Sequence, residues 1–296
     1  MQLKGSFLTA RAVNPKGLQP AKALAKHVLR TVRLRWIRGF HSFGPQDLEG
    51  GLRRIGLGAA DTVLVHSSFD AFEGFQGKPT EVIAVLQRVL TPAGTLVVPT
   101  MPFTGTAVAF AATDPLFDIR RTPSRMGLLT ELFRRMPGVS RSRHPTHSAA
   151  AWGARAVQMT EGHEAAATPC GVGSPYHRLL DVGGKILLLG TDISALTFFH
   201  AIEEILEKEL PLQPFTAASY ALRTQMADGS VAVVNTRLFE PAVSRRRNIF
   251  KMIPYLRARG AWHETRVGRL TAVLLRARDV LDAARDMLAK GEFCYD

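Results

Sequence analysis

Little in this chain favours secretion, a disulfide scaffold or a membrane span. Two cysteines, Cys170 and Cys294, occur in 296 residues, far apart and without metal-ligand spacing. That excludes a disulfide framework and points to a reducing compartment. The longest uncharged span, Val89 to Thr113, is interrupted by Pro92, Pro99 and Pro102, so it does not read as a membrane helix. No short apolar segment with a small-residue cleavage site opens the chain, and a cytoplasmic location is expected. Acidic side chains are missing altogether from residues 1–46, which carry nine basic ones and so hold most of the net charge of +13.

What is present describes a globular α/β protein. Hydrophobic residues make up 46% of the chain, enough for a large core. The division expected is a basic N-terminal extension over 1–45 and one domain over 46–296. Within the extension, "LQPAKALAKHVLRTVRLRWIRGF" reads as a basic, partly amphipathic helix. It either packs on its own domain or makes weak contact with an anionic membrane through residues 20–40. A second basic run spans Ser244 to Arg269. Such surfaces attract phosphates, lipids or nucleic acid, and equally serve as solvated faces.

Buried strands are expected at Thr62–His66, which leads into Ser67 and Ser68, at "GTLVVPT", and at "KILLLGT". Helices are expected at "EVIAVLQRVL", at "SRMGLLTELFRRM" with Ser124 as its cap, and at "ARDVLDAARDMLAK". Alternation around Asp228-Gly229 predicts a hairpin with a two-residue turn. Met101–Thr122 is a long irregular piece of the kind that carries function. The loop "FQGKPTEV" lacks the glycine spacing of a nucleotide-binding motif, which excludes NTP hydrolysis and a dinucleotide cofactor.

The most informative stretch is "TFFHAIEE". With Thr197 as the cap, His200, Glu203, Glu204 and Glu207 share one helical stripe, and Phe199, Ile202, Leu206 and Leu210 form the core-facing one. A helix N-terminus disfavours imidazolium, and a carboxylate one turn on can fix the ring's tautomer. His200 with Glu203 is therefore a candidate general base, although a solvated polar stripe has the same spacing. In "RSRHPTHSAAAWG", His144 and His147 lie three apart, which raises a metal site or a metal-dependent amidohydrolase. No further ligand motif supports it, and hydrogen-bonding roles are the alternative. Ser124 and Arg125 could meet an anion or amide. Nothing aims a base at Cys170.

In order and spacing, "VLVHSSFDAFEGFQG", "GTLVVPT", "FDIRRTPSRMGLLTELFRR", "RSRHPTHSAAAWG", "GVGSPYHRLL", "KILLLGT" and "TFFHAIEE" resemble the aminoglycoside 3-N-acetyltransferase family from about Ile55 onward. The resemblance implies a three-layer α/β/α fold with a central mixed sheet, distinct from the GCN5 type. It implies acetyl-CoA as donor, no metal, an amino-sugar or aminoglycoside amine as acceptor, and hence antibiotic resistance. By motif match His200 would be the catalytic histidine and Glu203 its partner. Ser67, Ser68, Ser124, Arg125, Met126, His144 and Ser148 would serve the CoA cleft. Antibiotic-modifying relatives tend to carry an Asp-Ser-Asn-Thr run where this chain has "SALTFFH". Asp192, Glu204 and Glu207 are the carboxylates left to receive a cationic acceptor. The alternatives are acyl transfer to an amino-sugar nucleotide or lipid-linked glycan intermediate, or a non-catalytic module for anionic lipid or nucleic acid, although no nucleic-acid partner is expected.

Overall fold

The computed structural model describes residues 39–296. The expected basic helix therefore lies almost wholly outside the described residues. Ten strands and ten helices are used below. The strands are β1 (Thr62–Ser67), β2 (Thr95–Pro99), β3 (Leu116–Asp118), β4 (Ser140–Arg141), β5 (Ala149–Gly153), β6 (Lys185–Leu189), β7 (Phe215–Gln225), β8 (Val231–Phe239), β9 (His263–Val267) and β10 (Leu270–Arg276). The helices are α1 (Pro45–Arg54), α2 (Pro79–Leu90), α3 (Ala107–Ala111), α4 (Leu128–Phe133), α5 (Ala156–Thr160), α6 (Pro175–Asp181), α7 (Phe199–Ile205), α8 (Pro241–Arg245), α9 (Ile253–Ala258) and α10 (Ala277–Ala289).

Seven strands form a mixed sheet in the order β4-β5-β2-β1-β6-β10-β9. β2, β1 and β6 run parallel, and the outer pairs are antiparallel. The parallel strands are apolar throughout because both of their faces are covered. Val63, Val65, Leu96, Val98, Leu187 and Leu189 point to the side packed by α1, α2 and α4. Leu64, Val97, Ile186 and Leu188 point to the other side, packed by α5, α6, α7, α9 and α10. The result is the α/β/α layering expected from the resemblance.

Several helices have a local reason to start. Pro79 opens α2, and the Glu81 carboxylate accepts the Lys78 N–H at 2.6 Å. Two expectations need correction. The helix at "SRMGLLTELF" begins at Leu128, after Gly127 turns the chain at φ 109°, and not at Ser124. The Ser124 hydroxyl instead accepts the Met126 N–H at 3.2 Å, a local turn that competes with helix. The β7–β8 hairpin closes through Ala227-Asp228-Gly229, because Met226 N–H donates to the Ser230 carbonyl at 2.8 Å. One left-handed residue, Gly229 at φ 90°, suits that three-residue loop rather than a two-residue turn.

The second sheet, β3-β7-β8, lies beside the main one. It holds down the irregular segment after β2, together with Arg141. That arginine is 8% exposed, donates to the Thr100 and Thr122 carbonyls at 2.7 and 2.6 Å, and lies over the Phe117 ring. The carboxyl ends of β1, β2 and β6 meet at one edge, where open α/β sheets bind ligands. Antiparallel β5 starts at the same edge, Ala149 opposite Pro99, so the His144–Ser148 segment arrives there too.

Gly153 shows how tightly the sheet is set. It sits at φ 109°, and a Cβ there would lie 2.0 Å from the Gly94 carbonyl oxygen. Gly153→Ala is expected to cost about 1–3 kcal/mol from the backbone conformation alone. Urea unfolding checks this, and an unshifted midpoint contradicts it.

Candidate active site

α7 carries the candidate pair, His200 and Glu203. It follows a 3-10 turn, Ile193–Ala195, at the end of β6, and starts at Phe199 rather than being capped by the Thr197 hydroxyl. The Thr197 carbonyl accepts the His200 N–H at 3.0 Å. Phe199, Ile202, Leu206 and Leu210 are buried, as the spacing predicts. His200 and Glu203 share the next face, and the ring Nδ1 lies 2.9 Å from Glu203 Oε2. A carboxylate only accepts, so Nδ1–H donates and Nε2 keeps its lone pair. The His200 ring stacks on Phe239 with centroids 4.1 Å apart, and a fifth of its side chain is exposed.

Glu203 is fully buried, and its other oxygen is satisfied from far along the chain. Arg247 Nε donates to Oε1 at 2.8 Å and the Tyr295 hydroxyl at 2.7 Å. Burial alone would raise this carboxyl. The His200 hydrogen bond and the His200 and Arg247 charges outweigh it and hold the group below the usual carboxylate range. His200 is pushed below its ordinary 6.5, first by burial and then by the Arg247 charge, with Glu203 opposing both. The imidazole is therefore neutral at pH 7 and free to accept a proton at Nε2.

Two cavities meet at this ring. The larger, about 590 Å³, is lined by His66 and Ser67 from the end of β1, and by Pro99, Leu196, Ile249 and Phe250 among others. The smaller, about 240 Å³, is lined by Phe103, Thr104, Thr106, His147 and Phe239 among others. Met101, Met126, His200, Ser244 and Arg247 border both. Two molecules entering from the two sides would meet at His200.

The sequence-derived residues divide. Ser67 and Met126 line the cavities, whereas Ser68, Ser124, Arg125, His144 and Ser148 line neither. Ser68 starts a 3-10 turn, and its N–H donates to the Leu189 carbonyl. The Ser124 hydroxyl pairs with Thr130 at 2.8 Å, and Arg125 is exposed with its N–H on the Met101 carbonyl. Ser148 Oγ donates to the Thr100 carbonyl at 2.9 Å, bracing the sheet edge from behind. His144 is fully buried, stacks on His163 at 4.7 Å, and uses Nδ1 to accept from the Thr146 and His147 N–H groups. Burial and neighbouring histidines keep it neutral. No group of three or more His, Cys, Asp or Glu among the described residues is arranged to hold a metal.

The expected acidic pocket does not assemble. Asp192 caps the 3-10 turn, accepting from Ser194, and lines a different cavity of about 420 Å³ beside Trp262. Glu204 lies around the helix from His200, against Gly171, and burial pushes its carboxyl up. Glu207, beyond the end of α7, pairs with Arg237 at 3.1 Å. Spacing allows either glutamate to meet His200, and the structure gives that place to Glu203 while the Glu204 carboxylate packs against Gly171. Sequence reasoning missed Arg247, Tyr295 and His66. Arg247 sits in a basic run that looks like surface, Tyr295 is 92 positions from Glu203, and His66 ends a strand otherwise read as core.

The same fold is present in solved antibiotic-modifying enzymes. A variant of aminoglycoside acetyltransferase AAC(3)-IVa in complex with gentamicin superposes with a TM-score of 0.69 at 26% identity, over 84% of this chain and 89% of that one. The family model for aminoglycoside 3-N-acetyltransferase matches residues 64–289, and the chain belongs to that family. Aminoglycoside N(3)-acetyltransferase VII of Streptomyces paromomycinus is 37% identical over 52% of this chain and 58% of its own length. Aminoglycoside N(3)-acetyltransferase IV from Salmonella sp is 29% identical over 84% and 88%. The match thus spans little more than half of the Streptomyces relative and most of the Salmonella one.

The charges around the pair fix the sign of a titration. The His200 NMR midpoint is expected below 6.5 in the wild type. It should fall further in Glu203→Gln, which removes the group favouring imidazolium, and rise in Arg247→Met, which removes a group opposing it. Movement in the opposite directions would contradict the electrostatic account.

Proposed function

We propose that the protein is an acetyl-CoA-dependent N-acetyltransferase acting on an amine of an amino sugar, the reaction type that its relatives' names describe for aminoglycosides. The observation that carries this reading is the position of a neutral imidazole, tied to a buried carboxylate, where two cavities meet. The larger cavity mixes apolar surface from Pro99, Leu196, Ile249 and Phe250 with hydroxyls from Ser67 and Thr191. That lining suits a narrow pantetheine arm, which alternates methylenes and amides. The smaller cavity is left for the acceptor. An acetyl-CoA donor implies the cytoplasm.

A thioester reacts with an amine only through a free nitrogen lone pair, and an alkylamine is mostly protonated at pH 7. His200 Nε2 takes the proton as the C–N bond forms. Glu203 holds Nδ1–H and stabilises the imidazolium while it exists. The same proton is then available to the thiolate as the C–S bond breaks. Both substrates are held at once, so no acyl-enzyme is required. Cys170 is unsuited to be one, being fully buried with its thiol pushed well above the ordinary range by that burial. Holding both partners in attack geometry contributes about 7–11 kcal/mol to lowering the barrier.

Thiol release measured with acetyl-CoA and a panel of amines tests the reading. His200→Ala is expected to lower kcat by about 10²- to 10⁴-fold, the range for loss of a general base. Glu203→Gln should lower it by less, with circular dichroism unchanged. Undiminished turnover in both variants removes the pair from the chemistry. Burst release of one equivalent of CoA before any amine is added would show an acyl-enzyme.

A further inference from the structure

The cleft offers few of the carboxylates that a polycationic acceptor needs. Among the described residues lining the two cavities, Asp296 is the single carboxylate. It is already committed, with Lys251 Nζ at 2.6 Å from Oδ1 and Asn248 Nδ2 at 3.0 Å from Oδ2. Glu203 lies behind His200, and both of its oxygens are taken. Arg247, by contrast, borders both cavities with unused donors. Nε–H is bonded to Glu203, and Nη2 is buried without a partner. Nη2 is enclosed by protein, so the guanidinium nitrogen left to meet a ligand oxygen from the cavities is Nη1, which has no hydrogen-bond partner among the described residues. The guanidinium fork matches phosphate and carboxylate oxygens. Ser244 borders both cavities beside it, and Asn248 borders the larger one.

Building on the acetyltransferase reading above, we infer that the acceptor is an amino sugar carrying a phosphate or carboxylate close to the reacting amine, and that Arg247 receives that acidic group. Arg247 and His200 each hold one oxygen of the same Glu203 carboxylate. An anion on the guanidinium therefore lies next to the base, and the amine on a neighbouring carbon comes to Nε2. The basic run around Arg247 then attracts the substrate rather than serving solubility alone. Of the described carboxylates lining the two cavities, a polyamine antibiotic meets Asp296 alone, which is ion-paired with Lys251.

The test compares kcat/KM for glucosamine, glucosamine 1-phosphate, glucosaminate and gentamicin at fixed ionic strength. The two acidic amines are expected to exceed glucosamine and gentamicin by about tenfold or more, the scale of one charge-assisted hydrogen bond. In Arg247→Met, kcat should fall for every amine through the lost contact to Glu203, while the KM for the acidic amines should rise relative to that for glucosamine by a similar factor, and Arg247→Lys should recover part of that relative loss. Preference for gentamicin or glucosamine overturns the inference. So does a uniform fall in kcat for every amine with KM unchanged, which would leave Arg247 as a positioning residue for Glu203 alone. If no amine is acetylated, the proposed activity fails. Calorimetric binding of glucosamine 1-phosphate then decides the inference separately: binding lost in Arg247→Met supports it, and absent or unaffected binding overturns it. Binding abolished by saturating CoA would assign Arg247 to the donor's phosphates and also overturn it.

Discussion

A buried carboxylate is the constraint around which the site is built. Glu203 is wholly enclosed and ionised, and this is tolerable because three donors converge on it: His200 Nδ1–H, Arg247 Nε–H and the Tyr295 hydroxyl. Removing one partner of such a buried pair typically costs about 3–5 kcal/mol, because the remaining charge is left uncompensated. The same arrangement sets the behaviour of His200. Its tautomer is dictated by Glu203, and its proton affinity reflects a contest in which burial and Arg247 prevail over the carboxylate. The contacts that hold the buried charge thus also set the proton affinity of the ring.

The sheet delivers these groups to one place. Three parallel strands end together, and the chain leaving each one lines the larger cavity. His66 and Ser67 do so at the end of β1, Met101 beyond β2, and the Asp192-capped turn leading to α7 after β6. The connection from β4 to β5, with His144 and His147, and the turn after α5, with His163, add a layer of neutral histidines behind His200. His163 donates Nε2–H to the Pro169 carbonyl at 2.9 Å and accepts the Ser142 hydroxyl, which leaves it a hydrogen-bonding strut. His147, which lines the smaller cavity, stands edge-on to His200 at 5.9 Å.

What could be seen in the sequence was whatever depends on near neighbours. Apolar runs located β1, β2 and β6, and helical spacing put Glu203 beside His200 and Phe199, Ile202 and Leu206 in the core. The resemblance supplied the layering that periodicity alone does not. Positions decided by distant packing were not legible. Nothing near Arg247 in the chain distinguishes it from Arg245 or Arg246, which are exposed. Tyr295 looks like any aromatic beyond a helix. Ser124 has the composition of a helix cap, but its hydroxyl is taken by Thr130 and the local turn. Glu204 and Glu207 fit the stripe by spacing and are drawn off by Gly171 and Arg237.

The segment after α10 runs antiparallel to the chain around Arg247, with Asn248 N–H on the Cys294 carbonyl at 2.7 Å, and brings Tyr295 onto Glu203. The surroundings of Glu203 are therefore completed by a contact spanning 92 positions, carried in by the segment after α10. Closing a loop of that length carries an entropic cost that the contact has to repay. Any change that loosens the segment after α10 from the chain around Arg247 would therefore reach the His200 ring without touching it.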